Sequence, residues 1–93
     1  MDIKHKYNDK NGKFYLEENG NQIAELDYDF EDKNTMVIFH TGVNPTHEGK
    51  GLGKLLLSKS VEYARDNNYK IVPVCTFAAR VFEIEPKYKD VLK

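Results

Sequence analysis

The sequence predicts a mixed α/β domain: a four-strand antiparallel meander, a helix, a fifth strand parallel to the fourth, and a second helix. Three observations carry this. Up to residue 43, apolar and polar residues alternate in short runs separated by turns rich in Asn, Asp and Gly. After Pro45 the apolar period changes to three or four residues, through Leu52, Leu55, Leu56, Ser60, Tyr63 and Ala64. Then a short apolar run, "KIVPVC" (70–75), leads into a second helical stretch. The 93 residues make one domain, 1–93, with enough chain for one core.

The elements follow in order. "IKHKY" (3–7) alternates, and "NDKNGK" supplies turn chemistry before "FYLEE" (14–18). "NGN" (19–21) is the next turn. "QIAELDYDF" (22–30) puts Ala24, Leu26, Tyr28 and Phe30 on one face. After "EDKN" (31–34), "TMVIFHTGV" (35–43) is apolar on both faces, as a central strand is. Turns this short join antiparallel neighbours, because parallel ones need long crossovers. The helix after Pro45 runs for about sixteen residues, some four turns, and ends near "DNN" (66–68). The strand at 70–75 returns parallel to the fourth through a right-handed crossover. Pro73 removes a ladder donor there, which predicts an edge strand or one splayed from its neighbour. "TFAARVFEIE" (76–85) is the second helix, stopped by Pro86.

Composition excludes several classes of function. Fourteen basic against fifteen acidic residues give a net charge of −1, with no basic stripe for a nucleic-acid backbone. One cysteine forms no internal disulfide, and no spacing suggests a metal site. The polar start "MDIKHKYNDK" has no signal-like apolar region, and no run is long enough to cross a bilayer. The expectation is a cytoplasmic protein with no nucleic-acid, membrane or metal partner.

The stretch "HEGKGLGKLL" (47–56) sets Gly49, Gly51 and Gly53 between the fourth strand and the first helix. Helix N-termini carry unpaired N–H groups and partial positive charge, and so attract anions, phosphates above all. Glycines let such a ligand approach the backbone. A phosphate-binding Walker loop needs Ser or Thr after its Lys, whereas Lys54 is followed by Leu55. The dinucleotide fingerprint needs a different glycine spacing and a βαβ unit. The other reading of the three glycines is a tight turn with close helix packing.

"EGKGLG" resembles the acyl-coenzyme A loop of the GNAT acetyltransferase superfamily, with Gly51 and Gly53 on its glycine positions and Glu48 where that pattern has Gln or Arg. The order of elements matches that superfamily, without its usual N-terminal helices. "HTGV" (40–43), "GKGLG" (49–53), "PVC" (73–75) and "PKY" (86–88) together resemble its small cysteine-containing branch. Gly42 departs from that branch, which usually has an acid there. The resemblance implies acetyl-coenzyme A as cosubstrate, its pyrophosphate held by the amides of Gly49, Lys50, Gly51, Leu52 and Gly53. Val43 would pair with the pantetheine arm. It also implies acyl transfer to an amine or another small nucleophile, with a small molecule or a peptide as the acceptor. The superfamily's usual tyrosine falls on Phe82, which has no proton to give. Cys75 would then act as nucleophile or proton carrier, helped by His40, both approaching the cleft where the fourth and fifth strands diverge. The competing readings are a coenzyme A-binding module without catalysis, and a domain that keeps only the fold. His5 reads as surface or packing, His47 as solvated, and Tyr88 as core or rim.

Overall fold

The computed structural model describes residues 2–93. Five strands form one sheet in the order β1 (Lys4–Tyr7), β2 (Asn11–Glu18), β3 (Asn21–Asp32), β4 (Thr35–Val43) and β5 (Lys70–Pro73). The first four are antiparallel neighbours, and β5 runs parallel to β4 at the edge, as Pro73 predicts. Helix α1 (Leu52–Asn67) makes the crossover, and α2 (Thr76–Ile84) follows β5. Among the described residues no helix is long and apolar enough to cross a membrane.

The departures from expectation are local. β2 begins at Asn11 rather than Phe14, because Gly12 pairs with both Tyr7 and Tyr28 inside the ladder. β5 ends at Pro73 rather than Cys75, and short 3-10 turns occupy Pro45–His47 and Pro86–Val91. Beyond the second turn, Leu92 makes a parallel bridge to Ile71, on β5.

Both helices lie on one face of the sheet. Leu56, Leu57, Val61 and Ala64 of α1 and Ala78, Val81 and Phe82 of α2 join one buried cluster with Leu26, Tyr28, Met36, Ile38 and Ile71. The opposite face carries the alternate residues of β3, Glu25, Asp27 and Asp29. In β4 that alternation is reset once. Tyr28 stands opposite Ile38, but Asp27 stands opposite His40, so Phe39 is an extra, bulged residue. Residues directly opposite one another share a face. Thr41 and Val43, across from buried Leu26 and Ala24, therefore lie on the helix side. His40 and Gly42, across from Asp27 and Glu25, lie on the open side.

Candidate functional site

β4 and β5 pair only from Thr35 to Ile38 against Lys70 to Pro73. The amides of Val74 and Cys75 then both donate to the Ile38 carbonyl, each at 3.0 Å, and the chain turns away into α2. β4 continues to Val43 with no strand beside it on that edge among the described residues. Backbone groups on such an edge need a partner, and an extended ligand can supply one.

The glycine loop closes the upper end of this gap. Gly51 is the residue before α1, in the left-handed region at φ 77°, with no side-chain cap on the helix. The first helical bond runs from Leu55 N to Gly51 O, so the amides of Leu52, Gly53 and Lys54 have no acceptor within the helix. The first turn holds no acid, so nothing there offsets the positive end of the helix. A groove of about 470 Å³ lies in front of these amides, with Thr41 and Val43 on one side and Phe77 on the other. Lys54 also lines it, a cation the sequence reading did not assign.

The three glycines do different work. Gly49 and Gly51 have φ of 82° and 77°, which L side chains rarely adopt, and a Cβ on either would meet no described atom within 4 Å. Gly53 is a packing glycine: its Cβ would sit 3.0 Å from the Phe77 ring. The packing reading of the loop therefore holds at Gly53, while Gly49 and Gly51 have the backbone and the open space that the ligand reading asks for. Lys50 and Glu48 are exposed, and Glu48 stands on the rim of the groove. His47 is not solvated as expected. Its ring is largely covered, with Nδ1 2.9 Å from Thr46 Oγ1 and Nε2 3.1 Å from Glu18 Oε1.

Cys75 caps the start of α2 and is half-buried. Its Sγ lies 3.5 Å from Thr41 Oγ1, so the bulge that turns Thr41 to the helix side also gives the thiol its partner. Burial pushes the thiol pKa up, but the Thr41 hydroxyl and the amides of Ala78, Phe77 and Thr41 favour the thiolate, and the net direction is down from the ordinary value. Phe82 is buried in the core, its ring centroid 5.8 Å from that of Tyr88, and adds no polar group. His5 packs as expected, stacked on Phe14 at 3.9 Å with Nε2 2.7 Å from Tyr28 Oη.

The structure does not bring His40 to Cys75. The Phe39 bulge sends His40 to the open face, where its Nε2 lies 3.8 Å from Glu25 Oε1. Glu25, Asp27 and His40 hold ligand-type atoms within 4.8 Å of one another, the grouping nearest to metal-ligand chemistry among the described residues. Burial, the Glu25 charge and a hydrogen bond with Glu25 push the Asp27 carboxyl up to about 6, against the opposing pull of His40 and Lys13. Neither carboxylate stands out in the sequence, where both read as the solvated face of a strand.

A sequence model described as GCN5-related N-acetyl-transferase matches residues 13–91. No curated protein matches the chain in sequence. A GCN5-like protein from Staphylococcus aureus, solved in solution by NMR, is 42% identical over 99% of this chain and 87% of its own, with a TM-score of 0.78. A ribosomal-protein-alanine N-acetyltransferase from Brucella melitensis shares the fold at 17% identity and a TM-score of 0.65, over 80% of this chain and 61% of that one. A GNAT family acetyltransferase from Elizabethkingia anophelis, solved with acetyl-CoA bound, does so at 22% identity and 0.60, over 69% and 42%. With its strands splayed beside an uncapped glycine-rich helix start, and with the family match covering most of its length, the chain belongs to the GCN5-related N-acetyltransferase family.

Proposed function

We propose that the protein is an acetyl-coenzyme A-dependent acetyltransferase whose acceptor is an amine. The observation that carries this is the start of α1, three amides without helical acceptors facing a groove that runs along the unpaired edge of β4. The amides of residues 49–53 would hold the pyrophosphate, with Lys54 adding charge, and the backbone at Val43 would pair with the pantetheine arm. Open space at Gly49 and Gly51 fits a bulky phosphate against the backbone. Bound there, the cosubstrate supplies an acetyl group activated as a thioester.

Cys75 then stands on the helix side of β4, beside Thr41 and the groove. With Phe82 buried and lacking a hydroxyl, Cys75 is the group we assign to protonate the departing thiolate, and Thr41 relays by accepting from the thiol or donating to the thiolate. The alternative role for Cys75, taking the acetyl group itself, leaves a covalent mark.

Calorimetry with acetyl-coenzyme A tests the binding reading: saturable binding supports it, and its absence sinks it. Thiol release with a panel of amines and peptides separates an enzyme from a binding module. An acetyl mass on Cys75, lost in Cys75→Ser, would replace proton donation with an acyl-enzyme.

A further inference from the structure

His47 lines the groove in front of α1, shortly before Gly49 and Gly51. Its ring ends a chain of hydrogen bonds whose directions follow from the protons each group has to give. The chain starts at Asn44, which caps the 3-10 turn Pro45–His47. Asn44 Oδ1 accepts from the Thr46 N–H at 3.0 Å, which fixes the amide oxygen, not its nitrogen, on that side. The same oxygen accepts from the Thr46 hydroxyl at 2.8 Å. A hydroxyl has one proton, and here it goes to Asn44. Thr46 Oγ1 is left to accept from the imidazole, so His47 Nδ1, 2.9 Å away, carries a proton. On the far side of the ring, Nε2 lies 3.1 Å from Glu18 Oε1. An ionised carboxylate only accepts, so Nε2 carries a proton as well. Either neutral tautomer would set a ring lone pair against an oxygen lone pair. Only the imidazolium satisfies the whole chain.

We propose that His47 is a charged clasp on the phosphate site: as an imidazolium it pins the glycine loop to the end of β2 and adds a cation to the groove wall. This rests on the acetyl-coenzyme A reading above and names the residue that positions its loop. Glu18 is the last residue of β2, while Asn44 follows β4 and donates its N–H to the Ile23 carbonyl of β3 at 2.8 Å. The clasp thus joins three strands just ahead of Gly49 and Gly51, which have no side chains to hold the loop themselves. The other charged groups near the ring are Glu48, next in the chain, and Lys54 of α1, which line the same groove. Glu48 disfavours a phosphate there, and the imidazolium beside it offsets that charge. The His47 side chain is only 14% exposed, so water screens it poorly. The coupling is reciprocal: an anion in the groove favours the imidazolium, and the imidazolium favours the anion. As pH rises and the ring gives up a proton, one bond of the clasp and the charge are lost together.

Long-range proton–nitrogen NMR of the His47 ring, assigned by its loss in His47→Gln, tests the clasp on the protein alone. At the acid end of the titration both ring N–H protons should be seen, held from exchange by their acceptors. Glu18→Gln should move the ring's titration to lower pH. Calorimetry with dephospho-coenzyme A tests the charge, because its pyrophosphate stays equally ionised throughout. Between about pH 5.5 and about pH 8.5, either side of the ordinary histidine value of about 6.5, wild-type affinity should fall roughly tenfold. His47→Gln should stay flat near the weaker value. A single observable N–H, or an unmoved titration in Glu18→Gln, would overturn the clasp. A His47→Gln profile parallel to the wild type would overturn the role at the phosphate and leave His47 as packing. No binding by the wild type at any pH would instead strike the acetyl-coenzyme A reading, since the ring is read without ligand.

Discussion

Gly12 and Gly51 lack the same methyl group for opposite reasons. A Cβ on Gly12 would lie 2.3 Å from Tyr28 Oη and 2.4 Å from its Cζ, because the tyrosine ring lies flat over the glycine. A Cβ on Gly51 would meet no described atom within 4 Å. Around Gly12 the chain fills its own space: Tyr28 is fully buried, its hydroxyl bonded to His5, with the rings of Phe14, Phe30 and Tyr63 packed about it. Around Gly51 the chain leaves space, backbone amides and a strand edge without partners. One end of the helix-covered face is filled and the other is left open. Mutating either glycine should therefore damage a different property.

The largest effect is expected at Gly12→Ala. Tyr28 has nowhere to move without breaking its bond to His5, and overpacking of this kind costs about 1–3 kcal/mol, here at the upper end. Urea melts should show the loss, with acetyl-coenzyme A affinity of the folded protein unchanged; a variant as stable as wild type would break the contrast.

Gly51→Val comes next, with at least a tenfold loss of acetyl-coenzyme A affinity, about 1.4 kcal/mol, by calorimetry. Its control is Gly20→Val. Gly20 has nearly the same backbone, φ 80°, and the same empty surroundings, but sits in the β2–β3 turn. Both variants should lose about 1–2 kcal/mol of stability to the left-handed strain, and only Gly51→Val should lose affinity. Equal affinity loss in both would mean that strain, not the groove, is responsible.

A smaller change is expected at the thiol. Thr41→Val removes the hydroxyl that favours the thiolate, so the pH midpoint of Cys75 alkylation by iodoacetamide should rise. An unmoved midpoint would leave the thiol's environment to the α2 amides alone.

The smallest is a pH effect from Asp27. Its carboxyl titrates near 3.8 in a free chain and at about 6 in the fold, so the folded state holds the proton more tightly. That contribution is complete below pH 3.8 and is lost as pH rises through 6. Asp27→Asn should therefore flatten this part of the stability profile and be the more stable protein at pH 7.5. The side chain is only half-buried, so solvent screening keeps the difference modest. Parallel profiles for the two proteins would contradict the assignment.

Most of the architecture was legible because the signals were local. Turn residues marked the hairpins, Pro73 marked the edge, and the period change after Pro45 marked α1. The start of β2 was hidden because "NDKNG" has turn chemistry, while the partner that makes Gly12 a strand residue, Tyr28, is distant in sequence. The glycine loop before α1 was readable from three glycines. The relation of His40 to Cys75 was not, because it depends on the bulge at Phe39, which no glycine or proline announces. Glu25 and Asp27 were invisible for a similar reason: their proximity to His40 is a matter of register. His47 looked solvated because Glu18, its partner, arrives from another hairpin.

The bulge has a further meaning when the sheet is regarded as a partition. Side chains along a strand have a parity, and one inserted residue reverses it for everything downstream. Without the bulge, Phe39 would take a ladder position, His40 and Gly42 would follow Ile38 into the interior, and Thr41 and Val43 would turn outward. With it, adjacent residues serve separate compartments, an imidazole on one side and a hydroxyl against a thiol on the other. The wall between the two compartments is a single β-strand.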